Sequence, residues 1–127
     1  MSILVDSSVW VDYFRGTGLS SDHLDLLIEE NLVVTNDLIL AELLPPLLIR
    51  REKQLVQLLK ELERQPMAVN WDEIIQLQTV CLDNGVNGIG IPDLMIAQNA
   101  MQRGLRLFSN DKHVALISRY IALELFL

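Results

Sequence analysis

The chain alternates short apolar runs with longer stretches whose apolar residues recur every three or four positions, and this rhythm restricts the fold more than any other feature. Ile3–Val5, Leu32–Val34, Met67–Val69, Leu105–Phe108 and Ile121–Leu123 read as strands. Between them, Leu24, Leu27 and Ile28, then Leu55, Leu58, Leu59 and Leu62, then Ile74, Leu77 and Cys81 repeat at helical spacing. Ser21 suits a helix N-cap, and Asn70 with Glu73 suits a capping box. Gly16, Gly85 and Gly104 stand where helices should end. Strand, helix, strand, helix implies an α/β fold, a three-layer α/β/α sandwich around a mainly parallel sheet.

The 127 residues suffice for one domain, 1–127, with a proper core, and 50% of them are hydrophobic, which excludes a disordered chain. No uncharged stretch exceeds nine residues, too short to span a membrane. The N-terminus has no basic region before Asp6, unlike a signal peptide. A single cysteine, Cys81, cannot form an internal disulfide, so the cytoplasm is the expected compartment.

Net charge is −7, which argues against holding nucleic acid by bulk electrostatics. The charge is uneven. Residues 21–42 carry Asp22, Asp25, Glu29, Glu30, Asp37 and Glu42 with no Lys or Arg, whereas residues 50–64 net +2. A polyanion would have to meet that local patch or a metal ion.

Ligands of such folds gather beyond the carboxyl ends of the strands. Four acids fall there if the strands are parallel. Asp6 follows the first strand, Asp111 follows "LRLFSN", Asp93 opens a helix behind Pro92, and Glu42 lies about one and a half turns into the helix after "LVVT". Asp93 and Asp111 each have an ordinary explanation as helix N-terminal acids, and Glu42 as a solvated helix residue. Asp6 is hardest to explain so, because Ser7 or Ser8 could already cap the next helix.

At these residues the chain resembles the PIN-domain ribonucleases, specifically the VapC-type toxins of bacterial toxin–antitoxin pairs. "LVDSSVWVDYFRG" is similar to the family's opening strand, acid, hydroxyl residue and aromatic helix. "TNDLILAELL" resembles the segment with its glutamate, and "IPDLMIAQNAMQRGLRLFSNDKHV" its third acid, Ala-rich helix, strand and Thr/Ser-x-Asp turn. The resemblance implies an acidic quartet of Asp6, Glu42, Asp93 and Asp111, supported by Ser7 and Ser109. Two departures stand out. Pro45-Pro46 interrupts the helix soon after Glu42, and His113-Val114 replaces a frequent Asp-Phe or His-Phe pair.

The implied activity is endoribonucleolytic hydrolysis of RNA with Mg²⁺ or Mn²⁺. Such ions prefer hard carboxylate oxygens, whereas clustered carboxylates alone repel each other. A metal also inverts the local field, so an acidic protein can bind an anionic substrate. Asp6 and Asp93 are assigned as direct ligands, with Glu42 and Asp111 completing the shell.

A cognate antitoxin protein and a homodimer are expected from the resemblance and from the apolar segments "LLPPLLI" and "LVQLLKELE". Two other functions compete: a degenerate PIN scaffold that only binds a protein, and an aspartyl-phosphate phosphotransferase. The second needs an acid two residues after the first, where Ser8 stands, and a well-placed lysine, where only Lys112 is late enough. "GIGIPD" lacks the third glycine of a dinucleotide fingerprint. Cys81, Trp10, Tyr13, Phe14, Met95 and Met101 are read as packing residues, and His23 as exposed.

Overall fold

Ile3–Val5, Val33–Thr35, Glu63–Arg64 and Arg106–Phe108 form the strands β1 to β4 of one sheet in the computed structural model, which describes residues 1–16 and 18–127. The helices are α1 (Ser7–Arg15), α2 (Leu19–Glu29), α3 (Asp37–Ile49), α4 (Lys53–Glu61), α5 (Trp71–Asp83), α6 (Ile91–Gln102) and α7 (Lys112–Ile117). The sheet order is β3-β2-β1-β4 and every pairing is parallel. Ile3 stands opposite both Val33 and Arg106, and Leu4 opposite both Val34 and Leu107. β1 and β2 are buried throughout, as apolar strands flanked by helices must be. The α/β class with a parallel sheet flanked by helices is the one the sequence rhythm implies.

Two expected strands are absent. Met67–Val69 is extended but unpaired, and the sheet's outer strand is the charged, exposed Glu63–Arg64 instead. Ile121–Leu123 forms no strand; near the C-terminus only Leu125 makes an isolated bridge to Leu107. Ser21 lies inside α2, whose N-cap is Gly18, so it is not a cap. Asn70 does cap α5, accepting from the Glu73 amide at 3.1 Å, but the other half of the box is taken by Gln98. The Gln98 side chain accepts from the Asn70 amide and donates to the Glu73 carboxylate. Gly16, Gly85 and Gly104 all have positive φ at or just beyond helix ends.

The expected break at Pro45-Pro46 does not occur, and α3 runs through both prolines to Ile49. The prolines remove the amides that would donate to the carbonyls of Ala41 and Glu42. Ala41, Glu42, Pro45 and Pro46 are all exposed, so water can replace those bonds. Leu43 and Leu47, one turn apart, are buried in the core and hold the helix on course.

Candidate active site

The chain steps from β1 outward to β2 and β3, then returns to β4 on the other side of β1. The direction of winding therefore reverses between β1 and β4, and the crevice past their carboxyl ends is the switch point where parallel α/β sheets bind ligands. Asp6 and Ser109 are the residues that leave these two strands. The Asp6 amide donates to the Phe108 carbonyl at 3.0 Å, which keeps the strand ends paired up to the rim.

Asp6 is itself the N-cap of α1; neither Ser7 nor Ser8 takes that role. Its carboxylate accepts from the Ser8 amide at 2.8 Å and from the Ser8 hydroxyl. A cap normally sits in water, yet Asp6 is only 6% exposed. Burial pushes its carboxyl above the usual range, against the hydrogen bonds of Ser109, Ser8 and Val9 that favour the charged form.

Glu42 projects from α3 at the same rim. Its carboxyl is also raised, first by partial desolvation, then by the negative charges of Asp93 and Asp6, with the Ser7 hydroxyl acting in the opposite sense. The structure thus brings Asp93 and Asp6, each from a different element, within electrostatic reach of Glu42. Asp93 stands in the first turn of α6 behind Pro92 and accepts from the Gly90 amide at 3.1 Å.

Asp111 is placed differently. It caps α7, accepting from the His113 amide at 2.8 Å, and its charge is not among those that move Asp6 or Glu42. It joins the rim through its backbone: the Asp111 amide donates to the Ser109 hydroxyl at 3.1 Å, and Ser109 in turn bonds Asp6. Beside it, the Asn110 amide donates to the Ser8 hydroxyl at 2.9 Å, and the Asn110 side chain reaches Asp12 and Ser20 at 2.7 and 3.0 Å. His113 lays its ring on the loop before α6, where a Cβ added to Gly88 would fall 2.2 Å from Nε2.

Sequence reasoning missed Ser8, Asn110 and the buried pair Asn36 and Asn99. Asn36 leaves β2 as Asp6 leaves β1, caps α3 by accepting from the Ile39 amide, and donates to Asn99 at 3.0 Å. The signal was present: "VVTN" repeats the pattern of "ILVD", an apolar run closed by a polar residue.

Among the described residues, no three His, Cys, Asp or Glu side chains are gathered closely enough to hold one ion. Like charges repel, and the three carboxylates share a field without converging on a point. The donor chemistry nonetheless suits a hard divalent cation: carboxylate and hydroxyl oxygens, with Cys81 buried elsewhere in the core. An ion seated there would relieve the repulsion that raises Glu42.

This geometry defines an α/β protein with an acidic site at its sheet switch point. The sequence matches the PIN domain family over residues 3–120, and the chain belongs to that family. A search of curated proteins found no match. Three solved structures share the fold. FitAcB from Neisseria gonorrhoeae is 21% identical with TM-score 0.70, over 98% of this chain and 96% of that one. VapBC2 from Rickettsia felis, bound to a DNA fragment from their promoter, is 22% identical with TM-score 0.71, over 99% and 98%. PAE2754 from Pyrobaculum aerophilum is 16% identical with TM-score 0.61, over 92% and 86%.

Proposed function

We propose that the chain is a Mg²⁺- or Mn²⁺-dependent endoribonuclease, the toxin of a toxin–antitoxin pair acting in the cytoplasm. The observation that carries this reading is the placing of Asp93 and Asp6 within electrostatic reach of Glu42 at the switch point of a PIN domain. Bound among these carboxylates, the cation would offset phosphate charge and make water nucleophilic near neutral pH. Asp6 and Asp93 would hold it and Glu42 would complete the shell or orient water, with Asp111 closing the rim. Ser8 and Ser109 keep the Asp6 carboxylate aimed by hydrogen bonds, and Ser7 restrains Glu42.

Hydrolysis by water leaves 5′-phosphate and 3′-hydroxyl ends. Attack by the ribose hydroxyl instead wants a histidine pair, and the chain's two histidines are engaged elsewhere: His23 lies edge-on to Phe126, and His113 on Gly88. RNA incubated with the protein should be cut in Mn²⁺ or Mg²⁺ and left whole in EDTA. Asp6→Asn and Asp93→Asn should each lose at least about 100-fold in rate, the scale of losing one preorganised electrostatic group. Cyclic phosphate products that persist in EDTA would refute the mechanism. Uncut RNA in every metal would leave the partner-binding scaffold as the better reading.

We also propose a homodimer and a small antitoxin that lays an apolar helix on the toxin and brings an arginine to the carboxylates. Exposed apolar side chains lie on α3, where Leu48 and Ile49 stay out although Leu43 and Leu47 are buried, and around α5. Trp71, Ile75, Leu82 and Ile91 are exposed together around one face of α5 and line a shared groove with Ile74. No helix among the described residues is long and apolar enough to cross a membrane.

A further inference from the structure

A slot of about 290 Å³ opens beside Glu42, between α1 and α3. Glu42, Pro46 and Arg50 recur every four residues along α3, so they form one stripe facing it, and Val11, Phe14 and Arg15 do the same from α1. Leu43 and Leu47 supply the apolar floor. One end of the slot therefore touches the acidic rim, while two guanidiniums mark the other. Arg50 follows Glu42 by eight positions, about 12 Å along the helix axis, enough for a nucleotide next to the reacting phosphate. Neither Arg15 nor Arg50 has an ion-pair partner among the described residues, although the chain as a whole is acidic.

We propose that this slot is a nucleotide subsite of the nuclease, holding a single-stranded RNA residue beside the cleaved bond. The base lies on Phe14 and the neighbouring aliphatic side chains, and Arg15 and Arg50 take its phosphates. The chemistry is complementary at each point: an apolar wall with an aromatic for the base face, planar forks of donors for phosphate, and Glu42 linking the subsite to the carboxylates. The site solves a problem set by the net charge, since RNA here needs local cations besides the ion. A protein segment would meet the same apolar floor, but two arginines without ion-pair partners among the described residues, at the end of the slot away from Glu42, favour a phosphodiester over an apolar helix. The inference rests on the nuclease reading given above.

The test uses a cleavage-deficient Asp93→Asn background and a fluorescein-labelled single-stranded RNA of mixed sequence, titrated by anisotropy in Mg²⁺ at several salt concentrations. Arg15→Ala and Arg50→Ala, both at exposed positions that leave the core alone, should each weaken binding about fivefold to tenfold at low salt. Each should also flatten the salt dependence by about 0.7 in log–log slope, the value for one phosphate on a single strand. Arg50→Lys should restore the slope but not the full affinity. Unchanged affinity and slope in both alanine variants would overturn the subsite, as would a parent that binds no RNA. If the wild-type protein cuts RNA while the arginine variants bind normally, only the subsite falls. If binding depends on the arginines but nothing is cut in any metal, the nuclease reading falls and takes the subsite beside a cleaved bond with it, leaving the slot as an RNA-binding site only.

Discussion

Asp6 is asked to do two things that normally exclude each other, to cap a helix as an anion and to lie buried at a strand end. The result is a carboxyl held above its ordinary 3.8, with Glu42 likewise above 4.5. A raised carboxyl binds its proton more tightly in the folded state than in the unfolded one. Its contribution to stability is therefore present below the ordinary value and is lost as pH rises through the folded one. In metal-free protein Asp6→Asn, which still caps α1, should melt higher than wild type at pH 7. The gap should close as the pH falls into the acidic range, as followed by thermal melts. A gap that is independent of pH would contradict the burial of a charge at Asp6. The sequence singled out this acid because Ser7 or Ser8 could have capped the helix, whereas in the structure Asp6 is the cap and is buried besides. Its support was not legible in the sequence: Ser8 meets Asn110 across 102 positions, and no local pattern records a contact of that separation.

Elements were legible where their own residues carried the reason for them. The cores of α2, α4 and α5 and the runs in β1, β2 and β4 follow directly from apolar periodicity. The segment 65–70 misled because it is extended and half-apolar, yet side chains of α6 satisfy its backbone in place of a strand. Asn99 donates to the Pro66 carbonyl, Gln102 to Ala68 and Gln98 to Asn70. β3 was invisible for the opposite reason, as Glu63–Arg64 has the charged composition of a protected edge. α3 shows packing overriding propensity, since the core position of Leu43 and Leu47 outweighs two prolines on the wet face. The loop before α6 is fixed differently, by the His113 ring seated on Gly88. Gly88→Ala should force that ring aside and lower the melting temperature, and the same change in a His113→Ala background should cost less. A double-mutant cycle should show coupling of about 0.5–3 kcal/mol, whereas additive effects would mean that the ring does not clamp the loop.

At the scale of the whole molecule, the proposals give two surfaces separate duties: the acidic rim with its arginine slot for chemistry, and the apolar α5 face for self-association. Ile75→Glu, at an exposed position, should turn a dimer into a monomer in light scattering without lowering the melting temperature of the isolated chain. A wild-type monomer would remove the dimer from the account. Whether the rim is a metal site depends on residues that follow β1 and lie on α3 and α6 acting together, and their common placement at one rim was inferable from the sequence only through the parallel order of the strands. A divalent ion at ten times its dissociation constant should stabilise the folded state by about 1.4 kcal/mol, a melting shift of roughly 3–6 °C for a domain near this size. Asp93→Asn removes one of the charges that raise Glu42 and keeps an oxygen for the Gly90 amide. It should melt above wild type in EDTA, yet gain far less from Mn²⁺. Four melts, wild type and Asp93→Asn in EDTA or Mn²⁺, decide the matter: the account predicts that the variant starts higher and responds less, and equal Mn²⁺ shifts in the two proteins would contradict a metal site at Asp93.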